Sequence, residues 1–194
     1  MERLQMCGPM RHAFLEESER LIREQGYASF NLAQLSGALS IAESKIEQYF
    51  STSDDICMEL VARHIVRMRR ELKEIYFEYG DVQSRLIAYA CLRSEEFVRG
   101  VPPFSGALST GCDGLTDAIR KRLSDLLTLQ LDWIRKVVQD HFESFDRPSD
   151  TSPAQIAKLL LGALEGGALL ECAANDREPS ASGYIQLMKA LGLG

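Results

Sequence analysis

The sequence predicts an all-α protein, and three observations carry that prediction. Apolar residues recur at three- and four-residue spacing, as in Leu123, Leu126, Leu127, Leu131, Ile134, Val137 and Val138. The periodic stretches are bounded by cap and breaker residues such as Gly26, Asn31, Gly80-Asp81 and Val101-Pro102-Pro103. No stretch alternates polar and apolar residues with the Val, Ile and Thr enrichment of a strand.

Residues 10–25 form the first predicted helix, with Phe14, Leu21 and Ile22 on one side and Leu15 near its edge. Gly26 is its stop. Asn31-x-x-Gln34 has capping-box form and starts a second helix with Leu32, Leu35 and Leu39 inward. Ser40-x-x-Glu43 reads as another capping box, starting a third helix with Ile41, Ile46 and Tyr49-Phe50 as buried candidates. Thr52 or Ser53, followed by Asp54 and Asp55, caps a long fourth helix, because carboxylates favour a helix N-terminus. Helices over 82–99, 115–145, 153–174 and 180–191 follow, and the Gly- and Ser-rich 104–114 is a short helix or a loop.

Bulk properties narrow the function classes. The chain has 194 residues, 45% apolar and 26% charged, which is ordinary globular composition. No apolar run reaches the roughly 18 residues of a membrane span, and the start lacks a signal pattern, so a cytoplasmic protein is expected. Five scattered cysteines without a C-x-x-C pair predict neither a disulfide framework nor a zinc site. His12, His64 and His141 are far apart and predict no metal centre. No Gly-rich phosphate loop or nucleophile motif is present, so neither an enzyme nor a cofactor is expected. Residues 1–60 carry five basic and ten acidic side chains, much of the formal net charge of −6. That is an unusual balance for a nucleic-acid binder.

Two short helices, a tight turn, a third short helix and the start of a long fourth one occupy Gly26 to Ile56. Together with LIREQGYASFNLAQLSGALSI and the Ile46, Tyr49, Phe50 cluster, this order resembles the TetR family of bacterial transcription regulators. The resemblance implies a helix-turn-helix DNA-binding domain over 1–52 and a ligand-binding and dimerisation domain over 53–194. It implies a regulator, in the usual case a repressor, that binds operator DNA as a homodimer and is released by a small-molecule effector. On that basis Ser44, Lys45, Gln48, Tyr49, Thr52 and Arg11 are candidate DNA contacts. His64, Met68, Tyr89, Phe97, Phe104 and Trp133 are candidate effector contacts, chosen from helix position alone.

Four positions depart from the family's pattern on the DNA face. Ser40 stands where a Gly usually makes the turn, Glu43 where Lys is common, Glu47 where a Tyr reaches phosphate, and Ser53 where a Lys meets the backbone. Two acids facing phosphates weaken binding, although a Glu also accepts from cytosine N4. The alternative reading is therefore a TetR-shaped adaptor that answers a ligand and contacts another protein instead of DNA.

Residues 159–173 are apolar nearly all round, and Gly162, Ala163, Gly166 and Gly167 invite close approach of another backbone. A dimer seam built from Leu160, these four residues and Leu170, with Tyr184, Leu187, Met188 and Leu191 of the last helix, is expected.

Overall fold

In the computed structural model the described residues are 2–95, 101–111, 114–145, 152–174 and 181–194, with only the backbone described for 2–7, 145 and 172–174. Among them the helical periodicity is realised as nine α-helices and no sheet. They are α1 (Glu2–Gln25), α2 (Leu32–Leu39), α3 (Glu43–Glu47), α4 (Ser53–Glu78), α5 (Val82–Glu95), α6 (Phe104–Thr110), α7 (Asp117–Phe145), α8 (Pro153–Ala174) and α9 (Ala181–Ala190). No described helix is long and apolar enough to cross a membrane.

The described chain forms two compact units, residues 1–64 with 104–124, and residues 65–103 with 125–194. The first is built on α1, whose Phe14, Leu15, Leu21 and Ile22 are almost wholly buried. Burying a side chain of this kind contributes about 1.5–3 kcal/mol. Leu35 of α2, Ile46 of α3 and Ile56 of α4 join the buried set, each at 0% exposure. Gly26 stops α1 and adopts φ 81°, a backbone state that favours glycine.

Several starts and stops differ from the sequence reading. Helix α1 begins at Glu2, not residue 10, and continues through Pro9, which forfeits one backbone donor without ending the helix. Asn31 caps α2 as expected, its side chain accepting from Gln34 N–H at 2.9 Å. Ser40 does not cap α3. It closes α2 in the left-handed conformation, φ 53° and ψ 40°, and its N–H bonds back to the carbonyls of Gly37 and Ser36. Ala42 precedes α3 with no side-chain cap, so Glu43 is not a capping partner. Thr52 is the reciprocal cap of α4: Asp55 N–H donates to Thr52 Oγ1 at 3.1 Å, and Thr52 N–H to Asp55 Oδ2 at 3.0 Å. The Gly- and Ser-rich 104–110 is helical and its residues 104–108 are buried, because Ser105, Gly106 and Ala107 are small enough to lie against α1.

In the second unit, Met68, Leu72 and Ile75 of α4 pack with Leu86 and Tyr89 of α5, Ile134, Val137 and Val138 of α7, Leu160 and Leu164 of α8, and Tyr184 and Met188 of α9.

A non-glycine residue in left-handed backbone carries a strain that glycine does not. Ser40→Gly is therefore expected to stabilise the protein by a few tenths to about 1 kcal/mol, the gain being reduced by the entropy of glycine in the unfolded chain. A rise in thermal midpoint measures it, and an unchanged or lower midpoint contradicts the strain.

Candidate functional site

Helix α3 has five residues, too few to persist alone in water. It is held from beneath. Ile46 is fully buried and Phe50, just beyond its end, is 3% exposed. The Tyr49 ring meets Phe14 edge-on at 5.4 Å between centroids. With that side fixed, Glu43, Ser44, Lys45, Glu47 and Gln48 are all exposed. One cation thus stands among two carboxylates on the outer face.

The six candidate DNA contacts divide into two groups. Ser44, Lys45 and Gln48 present open polar side chains. Tyr49, Thr52 and Arg11 have structural employment. Tyr49 is half-buried against Phe14, and Thr52 caps α4. The Arg11 guanidinium pairs with Glu59 of α4, donates to the Tyr49 carbonyl at 3.1 Å and lies 4.3 Å from the Phe50 ring centre. It ties α1, α4 and the segment after α3 together.

Nearby, the Tyr27 hydroxyl donates to Asp54 at the start of α4. Burial, then this bond, holds the phenol well above its ordinary range. The fully buried Cys57 thiol is pushed up to about 12, by burial first and the Asp54 carboxylate second.

The candidate effector contacts also divide. His64 and Phe104 belong to the first unit and stack at 4.5 Å with 12° between their planes. His64 Nε2 lies 3.1 Å from Glu19 Oε1. Met68, Tyr89 and Trp133 belong to the second unit. There Tyr89 meets Trp133 at 5.6 Å and donates to Gln130 Oε1 at 2.8 Å. Phe97 lies outside the described residues.

Sequence reasoning missed the polar groups around Tyr89. Gln130 is fully buried, and Arg93, 4% exposed, pairs with Glu165 of α8. Tyr184 of α9 is fully buried beside Tyr89, and burial keeps its phenol far above the ordinary range. Its hydroxyl and Trp133 Nε1 find no hydrogen-bond partner among the described residues. The legible signal was Tyr89-x-x-x-Arg93, one helical turn apart in an apolar stretch. No group of three or more metal-binding side chains gathers among the described residues.

Of the expected dimer-seam residues, Leu160, Tyr184 and Met188 are packed inside the second unit. Ala163, Gly166, Gly167, Leu187 and Leu191 are half-buried, and Gly162 and Leu170 are exposed. The periodicity did not single out Leu159 and Leu169, which are 50% and 43% exposed beside Leu170 at 68%. A Cβ added at Gly162 or Gly166 meets nothing within 4 Å, so no close approach among the described residues explains these glycines.

Two outcomes follow. Arg11→Ala is expected to destabilise the first unit by about 1–2 kcal/mol, because an ion pair, a carbonyl bond and a cation–ring contact go together. A lowered urea midpoint checks this, and an unchanged midpoint with altered DNA affinity alone contradicts it. Cys57 is expected to resist alkylation in the native chain at mildly alkaline pH, where a thiol held near 12 is almost wholly protonated. Mass spectrometry of the modified peptide reads this directly, and rapid labelling contradicts it.

No protein-family model matches the sequence, and no curated protein matches it significantly. Solved structures do match. A TetR transcriptional regulator from Legionella pneumophila superposes with a TM-score of 0.81 at 18% identity, covering 92% of this chain and 94% of that one. A TetR-family regulator from Agrobacterium tumefaciens gives 0.83 at 16% identity, covering 95% and 96%. The FadR regulator of Bacillus subtilis, solved in complex with stearoyl-CoA, gives 0.71 at 13% identity, covering 94% and 96%. From α1 to α9 the chain has the fold of the TetR family of transcription regulators.

Proposed function

We propose that this protein is a cytoplasmic transcription regulator that binds operator DNA as a homodimer and leaves it when a small-molecule effector binds. The observation that carries the reading is the outer face of α3, where Ser44, Lys45 and Gln48 are open while Ile46 anchors the other side. A short helix fixed in this way, following α2 across a tight turn, offers side chains to the major groove. Residues 1–52 would supply the DNA contacts and residues 53–194 the effector site and dimer seam.

The effector side of the reading is supported by the polar groups around Tyr89, Trp133 and Tyr184 in an otherwise apolar interior. A buried donor without a partner is costly, and a ligand acceptor relieves that cost. The stearoyl-CoA complex of the Bacillus subtilis regulator is a ligand complex in the same fold. The dimer is supported by Leu159, Leu169 and Leu170, open on α8 beside glycines with unfilled Cβ space. Repression is the action we propose, since an operator-bound dimer obstructs polymerase.

Glu43 and Glu47 favour a second reading, in which the same fold is an adaptor that contacts a protein and not DNA. Both are exposed, and neither has an ion pair or cap among the described residues. Selection from a random duplex library, followed by titration across salt, separates the two. Sequence-dependent binding with a steep negative salt slope establishes the regulator, whereas no enrichment from the library makes the adaptor the better reading. Within the regulator reading, Lys45→Ala is expected to weaken binding and flatten the salt slope by about one unit. Unchanged affinity and slope would remove Lys45 from the interface.

A further inference from the structure

Two polar groups inside the second unit stand without a hydrogen-bond partner among the described residues, the Tyr184 hydroxyl of α9 and Trp133 Nε1 of α7. Tyr184 is 0% exposed. Trp133 is only half-buried, so its ring reaches the surface while its nitrogen is shut inside. Both adjoin Tyr89. The Trp133 ring lies 5.6 Å from the Tyr89 ring, and the Tyr184 phenol is close enough to feel the Tyr89 hydroxyl electrostatically. An indole N–H can only donate. Burial holds the Tyr184 phenol protonated far above its ordinary range, so it too is a donor at neutral pH. The cluster lacks an acceptor.

The neighbouring acceptors are engaged elsewhere. Gln130 Oε1 accepts from the Tyr89 hydroxyl at 2.8 Å, while Gln130 Nε2 donates to the Leu126 carbonyl at 3.3 Å. Glu165 accepts from Arg93. Two enclosed donors left unpaired are costly, and folded chains rarely keep such groups without a use. Charge then decides which acceptor fits. Among the described residues of the second unit, Arg93 is the buried side chain with a formal charge, and Glu165 offsets it. A carboxylate entering here would lose its hydration and meet no surplus cation. A neutral carbonyl loses less, and its oxygen has two lone pairs for two donors. The surrounding core is apolar, with Leu86, Leu126, Leu160 and Met188.

Building on the effector reading above, we propose that the effector is a neutral carbonyl compound with an apolar body, its oxygen accepting from the Tyr184 hydroxyl and the Trp133 N–H. The two donors select the functional group, and the absence of an offsetting charge selects the neutral form. The body is held by the apolar core, and the half-buried Trp133 ring marks the side from which the compound enters.

Trp133 is the single tryptophan of the chain, so its fluorescence reports on this site. The full-length protein is titrated with the straight-chain methyl ketones from 2-hexanone to 2-dodecanone. The alkanoate and the 2-methyl-1-alkene of matching length are titrated in parallel. The alkanoate adds a charge to nearly the same shape, and the alkene removes the acceptor. At least one ketone is expected to change the emission saturably, with its alkanoate and alkene counterparts binding about tenfold more weakly. Tyr184→Phe removes only the hydroxyl. It should leave the thermal midpoint of the ligand-free protein unchanged or raised, because no bond is lost, and weaken ketone binding by about three- to tenfold. Binding of the alkene should not change. A lowered midpoint in the ligand-free variant would mean that the hydroxyl is already satisfied, and would overturn the proposal. So would no saturable response to any ketone, an alkanoate or alkene that binds as well as its ketone, or ketone binding indifferent to Tyr184→Phe. The duplex selection is independent of all these results. A chain that fails here yet selects a DNA sequence remains a regulator, with an effector of other chemistry.

Discussion

Everything the first unit presents depends on holding a five-residue helix that cannot hold itself. Helix α3 has scarcely more than one turn, and its own hydrogen bonds do not meet the entropy of ordering it. Burial of Ile46 and Phe50 supplies the holding force. Arg11 adds direction, because one planar guanidinium contacts Glu59, the Tyr49 carbonyl and the Phe50 face at once. The exposed chemistry of α3 is thus set by contacts beneath it, and its outer residues are released from packing. That release accounts for how an acid-rich sequence is tolerated on the outer face of α3. Glu43 and Glu47 are exposed and take no part in the packing that holds α3.

The sequence made the helical class legible because periodic leucines and breaker residues are local signals. Asn31, whose side chain needs only the next three residues, was legible for the same reason. Ser40 was not. The same Ser-x-x-Glu pattern fits a capping box or a left-handed stop, and the choice fell to the tertiary demand that Ile46 face inward. Helix α6 was ambiguous because glycine and serine signal a loop unless a neighbouring surface needs small residues, and α1 is such a surface.

The candidate sites were legible in proportion to how far they depend on one helix. Ser44, Lys45 and Gln48 lie on a single turn, and their exposure follows from the position of Ile46. The effector candidates were chosen from several helices by type, and they belong to both compact units. His64 with Phe104 went to one unit, and Tyr89 with Trp133 to the other. Arg93, Gln130, Glu165 and Tyr184 come from α5, α7, α8 and α9, and no spacing rule joins four helices. Buried polar clusters of this kind appear only when the packing is known, since an arginine or glutamine in an amphipathic stretch otherwise reads as solvated.

The two compact units are interleaved along the chain, and that bears on how the protein is made. The first needs residues 1–64 and then 104–124, while the second needs 65–103 and then 125–194. No single cut in the polypeptide separates them. During synthesis the N-terminal segment must therefore wait, with its apolar side incompletely covered, until Phe104 and Leu108 of α6 have left the ribosome. The intervening segment waits in turn for α7, α8 and α9. Closing loops of this length costs little more entropy than closing shorter ones. The delay nevertheless exposes both partial cores to other chains, the condition under which aggregation competes with folding. A truncation that ends between residues 64 and 104 leaves the first unit without α6 and the start of α7 and is a poor way to isolate it.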